Sequence, residues 1–201
     1  MGQEFKESSF SKQYGMIKYS YADYLNWPED KSVELIEGVA YAMTPAPARI
    51  HQKIVVELLR QISNYLVSRS CEVYTAPFDV RLADADASDE EIESVVQPDI
   101  AVICDKEKLD IKGCKGSPDL IIEVVSPASV SLDYIKKLNL YEKHSVKEYW
   151  IIHPIDKLIM VYTLEEKGKY SRPSVYPLGE KIKMGIFEDL AISLGHLVKE
   201  L

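Results

Sequence analysis

Two short apolar runs constrain this chain more than anything else in it: "QPDIAVI" at residues 97–103 and "PDLIIEVVSP" at 118–127. Each opens on Pro-Asp and continues in branched aliphatics, the composition of strands buried on both faces of a sheet. Yet Glu123 stands between Ile122 and Val124, and Asp99 heads the other run. A carboxylate removed from water is costly unless something pairs with it. The fold therefore has to bring partners to Asp99 and Glu123.

The remaining pattern supplies the scaffold. "SYADYLNWPED" reads as a short helix capped by Ser20, and "VELIEGVAYAMTPAP" as a hairpin turning at Glu37-Gly38 and stopped by Pro45 and Pro47. From Ile50 to about Arg69, the residues Ile54, Val55, Leu58, Leu59, Ile62 and Leu66 keep helical spacing. Strands are expected at "EVYTAPFDVRL", "PDIAVI" and "DLIIEVV". A helix follows near "SLDYIKKLNLYEKH", then strands at "KEYWIIHP" and "LIMVYTLEE". "KYSRPSVYPLGEKIKM" reads as a further hairpin and "EDLAISLGHLVKEL" as a closing helical turn or two. This order predicts a mixed α/β domain, a central mixed sheet flanked by helices with an N-terminal hairpin. Residues 1–19 read as a flexible arm and 20–201 as one domain, in keeping with a length of 201 residues.

If the two Pro-Asp strands are neighbours, Asp99 and Glu123 converge. Two close carboxylates repel unless one is protonated or a cation lies between them. A hard divalent ion held by carboxylate and carbonyl oxygens is the economical partner, with Mg²⁺ the best suited and Mn²⁺ a substitute. Such an ion activates water and polarises a phosphoryl oxygen, and a lysine would then stabilise the developing charge. No lysine follows Glu123 on its strand, where Val125 stands. On the next helix, i,i+4 spacing from Asp133 selects Lys137 over Lys136 and continues to Tyr141. This stripe lies beside an apolar face expected from Leu132, Ile135 and Leu138.

The bulk numbers temper that reading. A formal net charge of −8 opposes phosphate binding, which usually needs a basic footprint. Part of the excess is "DADASDEEIES" at 84–94, with six acids and no base. Its EF-hand likeness fails because Asp89 occupies the glycine position and Val95 that of the bidentate Glu. It is expected to be a mobile, solvated loop without a calcium site. Cys71, Cys104 and Cys114 have no ligand spacing and point to a reducing cytoplasm rather than to disulfides. No run is long enough to span a bilayer, and the N-terminal stretch lacks a signal-peptide apolar region.

Taken together, "ELIEG", "TPAPARIH" before a long helix, "QPDIAV", "PDLIIEVVSPAS", D-x-x-x-K-x-x-x-Y and "KEYWIIHP" resemble the Uma-two family over roughly residues 20–195. That family is a restriction-endonuclease-like branch of the PD-(D/E)XK nucleases. The resemblance implies a restriction-endonuclease-like fold and a Mg²⁺-dependent endonuclease acting on DNA, working as a homodimer. It implies Asp99 and Glu123, helped by the Val124 carbonyl, as metal ligands, and Lys137 as the catalytic lysine. Glu37 matches its acidic hairpin position and His51 its helix-starting histidine, accessory candidates together with Asp133 and Tyr141. The long acidic stretch and His153, which stands in place of an acid, depart from the family pattern.

Plainer roles stand beside these. Asp99 also suits a turn after Pro98, Asp133–Lys137 a surface pair, Glu37 a turn position, Glu34 a solvent-facing strand residue, and His51 a packed helix residue. Two other functions remain open: an inactive metal- or nucleic-acid-binding module of the same fold, and a hydrolase of small phosphoesters.

Overall fold

The computed structural model describes residues 17–28, 32–43, 48–127 and 129–200. Pro45, Pro47 and all of the expected N-terminal arm except residues 17–19 lie outside the described residues. The chain forms α1 (Tyr21–Tyr24), β1 (Val33–Ile36), β2 (Val39–Ala42), α2 (Arg49–Leu66), β3 (Glu72–Thr75), β4 (Val80–Arg81), β5 (Val95–Val96) and β6 (Ile100–Ile103). It continues through β7 (Leu109–Asp110), β8 (Gly113–Lys115), β9 (Leu120–Val124), and a π-helical turn (Leu132–Lys137) that runs into α3 (Leu138–Lys143). After these come β10 (Glu148–His153), β11 (Leu158–Thr163), β12 (Ser174–Pro177), β13 (Lys181–Lys183), β14 (Ala191–Ser193) and a closing 3-10 segment (Gly195–Glu200). This is a mixed α/β architecture.

The main sheet has the order β12-β11-β10-β9-β6-β3, antiparallel except where β9 and β10 run parallel. Parallel neighbours need a crossover, and the π-turn and α3 provide it, which brings that helix over β9. Strand alternation divides the interior in two. Ile100, Val102, Ile122, Val124, Trp150 and Ile152 pack with Ile54, Leu58 and Ile62 of α2. Ala101, Ile121, Val125, Tyr149 and Ile151 pack with Leu140 and Tyr141 of α3 and with the second sheet. Glu123 has the parity of Ile121 and Val125, so it faces the crossover helix.

That second sheet, β2-β1-β5-β4-β8-β7, enlarges the single-sheet expectation. The run at 72–82 is not one strand. β3 joins the edge of the main sheet and β4 the second sheet, because Pro77 between them has no N–H to give a ladder. The expected hairpin at 169–184 is also corrected: β12 pairs with β11 and β13 with β14, while buried Leu178 carries the chain from one to the other. Ser20 does cap α1, in a reciprocal box with Asp23. The β1–β2 turn has φ of 51° at Glu37 and 81° at Gly38, the left-handed pair that a two-residue hairpin turn demands.

Two further expectations are overturned. Cys71 and Cys104 are joined by a disulfide. They follow directly on the Glu72–Ile103 pair of the antiparallel β3–β6 ladder, so the register brings them face to face. The cysteine argument for a reducing compartment falls with that bond. The 84–94 stretch does expose Asp84, Asp86, Glu90 and Glu91 to solvent, but it is not free, because Ile92 is buried with Tyr21, Leu35 and Val95. The backbone carbonyls of Ile92 and Asp89 accept from Tyr21 and Ala22 of α1, and Lys112 pairs with Asp89 at 2.7 Å. None of the described helices is long and apolar enough to cross a membrane.

Candidate active site

The last paired position in the antiparallel β6–β9 ladder is Ile100 opposite Ile122. One residue further out, Asp99 meets Glu123. The Val124 N–H donates to Asp99 Oδ2 at 2.8 Å, and the Asp99 N–H reaches Glu123 Oε2 at 3.4 Å. The two acids thus lie together at one end of the sheet. Asp119, from the other Pro-Asp pair, lies at the opposite end, where it accepts from the Cys104 N–H and pairs with Lys147. The same dipeptide has two jobs because β6 and β9 run antiparallel.

The crossover helix closes over Glu123. Lys137 Nζ donates to Glu123 Oε1 at 2.9 Å, and Tyr141 OH to the same oxygen at 3.0 Å. Lys137 also lies 2.9 Å from Glu34 Oε1 and 3.7 Å from Asp133 Oδ1, with its side chain only 5% exposed. Lys136 is exposed. The i,i+4 choice of Lys137 therefore agrees with the geometry, although the turn is π-helical, a distortion frequent at functional sites. The widened turn leaves Ile135 57% exposed rather than on an apolar face.

Burial and charge act together on these groups. Burial pushes Glu123 well above the ordinary carboxylate range; Lys137 opposes this, and Asp133, Asp99 and Glu34 add to it. Asp133 is raised by burial too, against the pull of Lys137. For Lys137, burial disfavours the charged form, but Glu123, Glu34 and Asp133 overcome it, and the ammonium is held well above its usual value. Lys137 therefore keeps its proton. Burial, then Glu123, raises Tyr141 as well, so its hydroxyl stays a donor.

Glu34 was not expected here. It is buried in β1, and the Gln97 N–H donates to its Oε1 at 2.8 Å. Its signal was the same as that of Glu123: an acid between aliphatics, Val33 and Leu35, in a strand. Glu37, the hairpin acid expected at the site, is not brought to the cluster; it occupies the exposed turn and pairs with Lys143 at 2.6 Å. His51, in the first turn of α2, does reach the acids, with Nε2 3.1 Å from Asp99 Oδ2. Its Nδ1 is buried without a partner.

Among the described residues, no three or more His, Cys, Asp or Glu side chains form a metal cage. The acids instead present a two-carboxylate edge. Asp99 Oδ1 has no hydrogen-bond partner among the described residues, and Glu123 Oε2 accepts only the long bond from Asp99. Such a donor set fits a hydrated hard cation, which supplies the rest of its shell as water.

A mixed sheet with paired acids at one end, and a lysine reaching them from the crossover helix, is the layout of a restriction-endonuclease-like domain. A crystal structure of "a putative nuclease" from Anabaena variabilis shares the fold, with a TM-score of 0.70 at 20% identity, covering 90% of this chain and 98% of that one. An uncharacterised protein of Synechocystis sp., slr1290, is 24% identical over 156 residues, 76% of this chain and 78% of the relative. Residues 21–195 match the Uma2 family, described as "Putative restriction endonuclease". The chain belongs to that family.

Proposed function

We propose that the protein is a divalent-cation-dependent endonuclease that hydrolyses DNA phosphodiester bonds. The observation that carries this reading is the meeting of Asp99 and Glu123 on adjacent strands beneath an ammonium group held 2.9 Å from Glu123. Asp99 and Glu123 would hold Mg²⁺ or Mn²⁺, together with the Val124 carbonyl. When bound, the ion would activate water and neutralise phosphoryl charge. His51 and the Val124 N–H fix the Asp99 carboxylate from two sides, and Lys137 and Tyr141 fix Glu123 through one oxygen, leaving the other for a ligand. Lys137 is too enclosed to approach a phosphate as it stands; it acts by orienting Glu123 and lowering the negative charge of the cluster. A homodimer would let two such sites cut opposite strands.

The same enclosure favours a second reading, a binding module without catalysis, because a lysine held by three carboxylates supplies structure without chemistry. Nicking of supercoiled plasmid at low salt with Mg²⁺ or Mn²⁺ separates the two, read beside Mn²⁺ binding by calorimetry. The endonuclease reading expects wild-type nicking, and loss of both nicking and ion binding in Asp99→Ala. Ion binding without any nicking would leave the binding module.

A further inference from the structure

The main sheet is covered unequally. On its α2 side, Ile159 and Val161 of β11 lie in the core, with Tyr176 of β12 packed against it. On the other side the π-turn and α3 cover β9 and β10, and Tyr170 lies over Tyr162 with ring centroids 5.9 Å apart. Beyond Tyr162 this cover thins. Side chains alternate along a strand, so Leu158, Met160 and Tyr162 share that face. The ladder sets Val175 opposite Met160 and Pro177 opposite Leu158. Val175 is 51% exposed and Leu158 37%, while Met160 is half-buried.

The same ground continues across β10. His153 stands opposite Leu158, and the Tyr134 ring meets it edge-on with centroids 6.5 Å apart. Ile135, next in the π-turn, and Ile155, in the turn from β10 to β11, are both more than half exposed.

Three features of this patch indicate its occupant. Its strand positions carry no acid or base, His153 apart, so neither DNA nor a charged peptide finds a partner there. The outer strand is closed to strand addition. The Leu178 N–H donates to the Lys157 carbonyl, so the neighbouring Pro177 nitrogen falls on the free edge, where it has no N–H to give. The occupant therefore packs on the face. Lastly, the area suits a second copy. Ile135, Ile155, Leu158 and Val175 together present roughly 400 Å², and a standard interface needs about 800 Å² per partner, a little over half of it apolar. An apolar face without charge is complementary to itself, as two-fold pairing requires.

We propose that two copies of this chain pair through the β11–β12 face, with Ile135 and Ile155 at its rim. This gives a surface to the homodimer of the nuclease reading and sets the partner against the turn that carries Lys137. It is tested apart from the chemistry, because assembly is measured without DNA or metal.

The test is sedimentation equilibrium of the full chain in EDTA, which should give twice the 22.8 kDa of one chain at micromolar concentration. Val175→Asp and Ile135→Asp, on separate elements, each put a carboxylate into the apolar contact and should weaken pairing at least ~100-fold. Val56→Asp, at an equally exposed position on α2, should pair like wild type. Melting curves check that the variants fold; if one does not, the other decides the matter. A wild type that stays monomeric throughout the micromolar range would overturn the proposal, whether the face is then covered by another segment of the chain or by a different protein. So would pairing undiminished in a folded Val175→Asp or Ile135→Asp, or an equal loss in Val56→Asp. A dimer that never nicks plasmid keeps the surface and removes the nuclease; a monomer that nicks does the reverse.

Discussion

Replacing Lys137 by methionine keeps most of its volume and removes its charge. The ammonium lies 2.9 Å from both Glu34 and Glu123 and 3.7 Å from Asp133, and these three acids are each no more than 4% exposed. Removing one partner of a buried ion pair costs about 3–5 kcal/mol, because the other charge stays buried without compensation. An exposed i,i+4 pair is worth about 0.3–0.5 kcal/mol. Urea unfolding at pH 8 should therefore show Lys137→Met to be less stable than wild type by about 3–5 kcal/mol. The deficit should be smaller at pH 5.5. Glu123 already has its folded pKa raised by burial, and losing Lys137 raises it further. A carboxyl with a raised folded pKa binds more protons folded than unfolded, so its contribution to stability falls as pH rises and is recovered on acidification. A loss below about 1 kcal/mol at pH 8, of the size of an exposed pair, would refute the buried cluster. So would a deficit that grows as the pH is lowered.

The disulfide and the exposed hairpin acid give two simpler tests. Cys71→Ser should lower stability by about 2–4 kcal/mol, the usual value for such a crosslink, and a dithiol reductant should bring wild type down to the same midpoint; coincident wild-type curves with and without reductant would count against the bond. Glu37→Ala should change stability by less than about 1 kcal/mol, since its Lys143 partner is exposed, and should leave nicking unchanged; a large loss of activity would restore Glu37 to the site.

How far the sequence revealed this arrangement depended on the kind of signal each residue left. Glu123 and Asp99 were legible because acids among branched aliphatics break a pattern. Glu34 left the same mark, but Glu37 stood three residues away beside a glycine, and only the strand ladder shows which acid is buried and which turns out to solvent. Lys137 could be chosen over Lys136 by spacing alone, yet the apolar face assigned with α-helical periodicity failed at Ile135, because sequence does not announce a π-turn. The second sheet was hidden for another reason: β4 and β5 have two residues each, too few to show a period. Cys71 and Cys104 lie 33 residues apart and meet only through the β3–β6 register, which no local pattern encodes.

The charge of the cluster bears on how an acidic chain would meet DNA. Glu34, Glu123 and Asp133 surround one buried ammonium, Asp99 lies beside Glu123, and the chain as a whole carries −8. Nearby lysines are drawn off as well, Lys143 by Glu37 and Lys18 by Glu93. A phosphate approaching Asp99, 20% exposed, meets a carboxylate whose cluster lysine is buried behind Glu123, and DNA binding at this end of the sheet should therefore depend on a cation between the two. With a fluorescein-labelled duplex at low salt, anisotropy in EDTA should show little binding, and Ca²⁺ should tighten it at least ~10-fold, since a bridging charge replaces repulsion with attraction. Asp99→Ala should lose most of that gain while Glu37→Ala keeps it. Equal affinity in EDTA and Ca²⁺ would place the DNA contact away from the acids, and the cluster would then be a buried structural network rather than the site of chemistry.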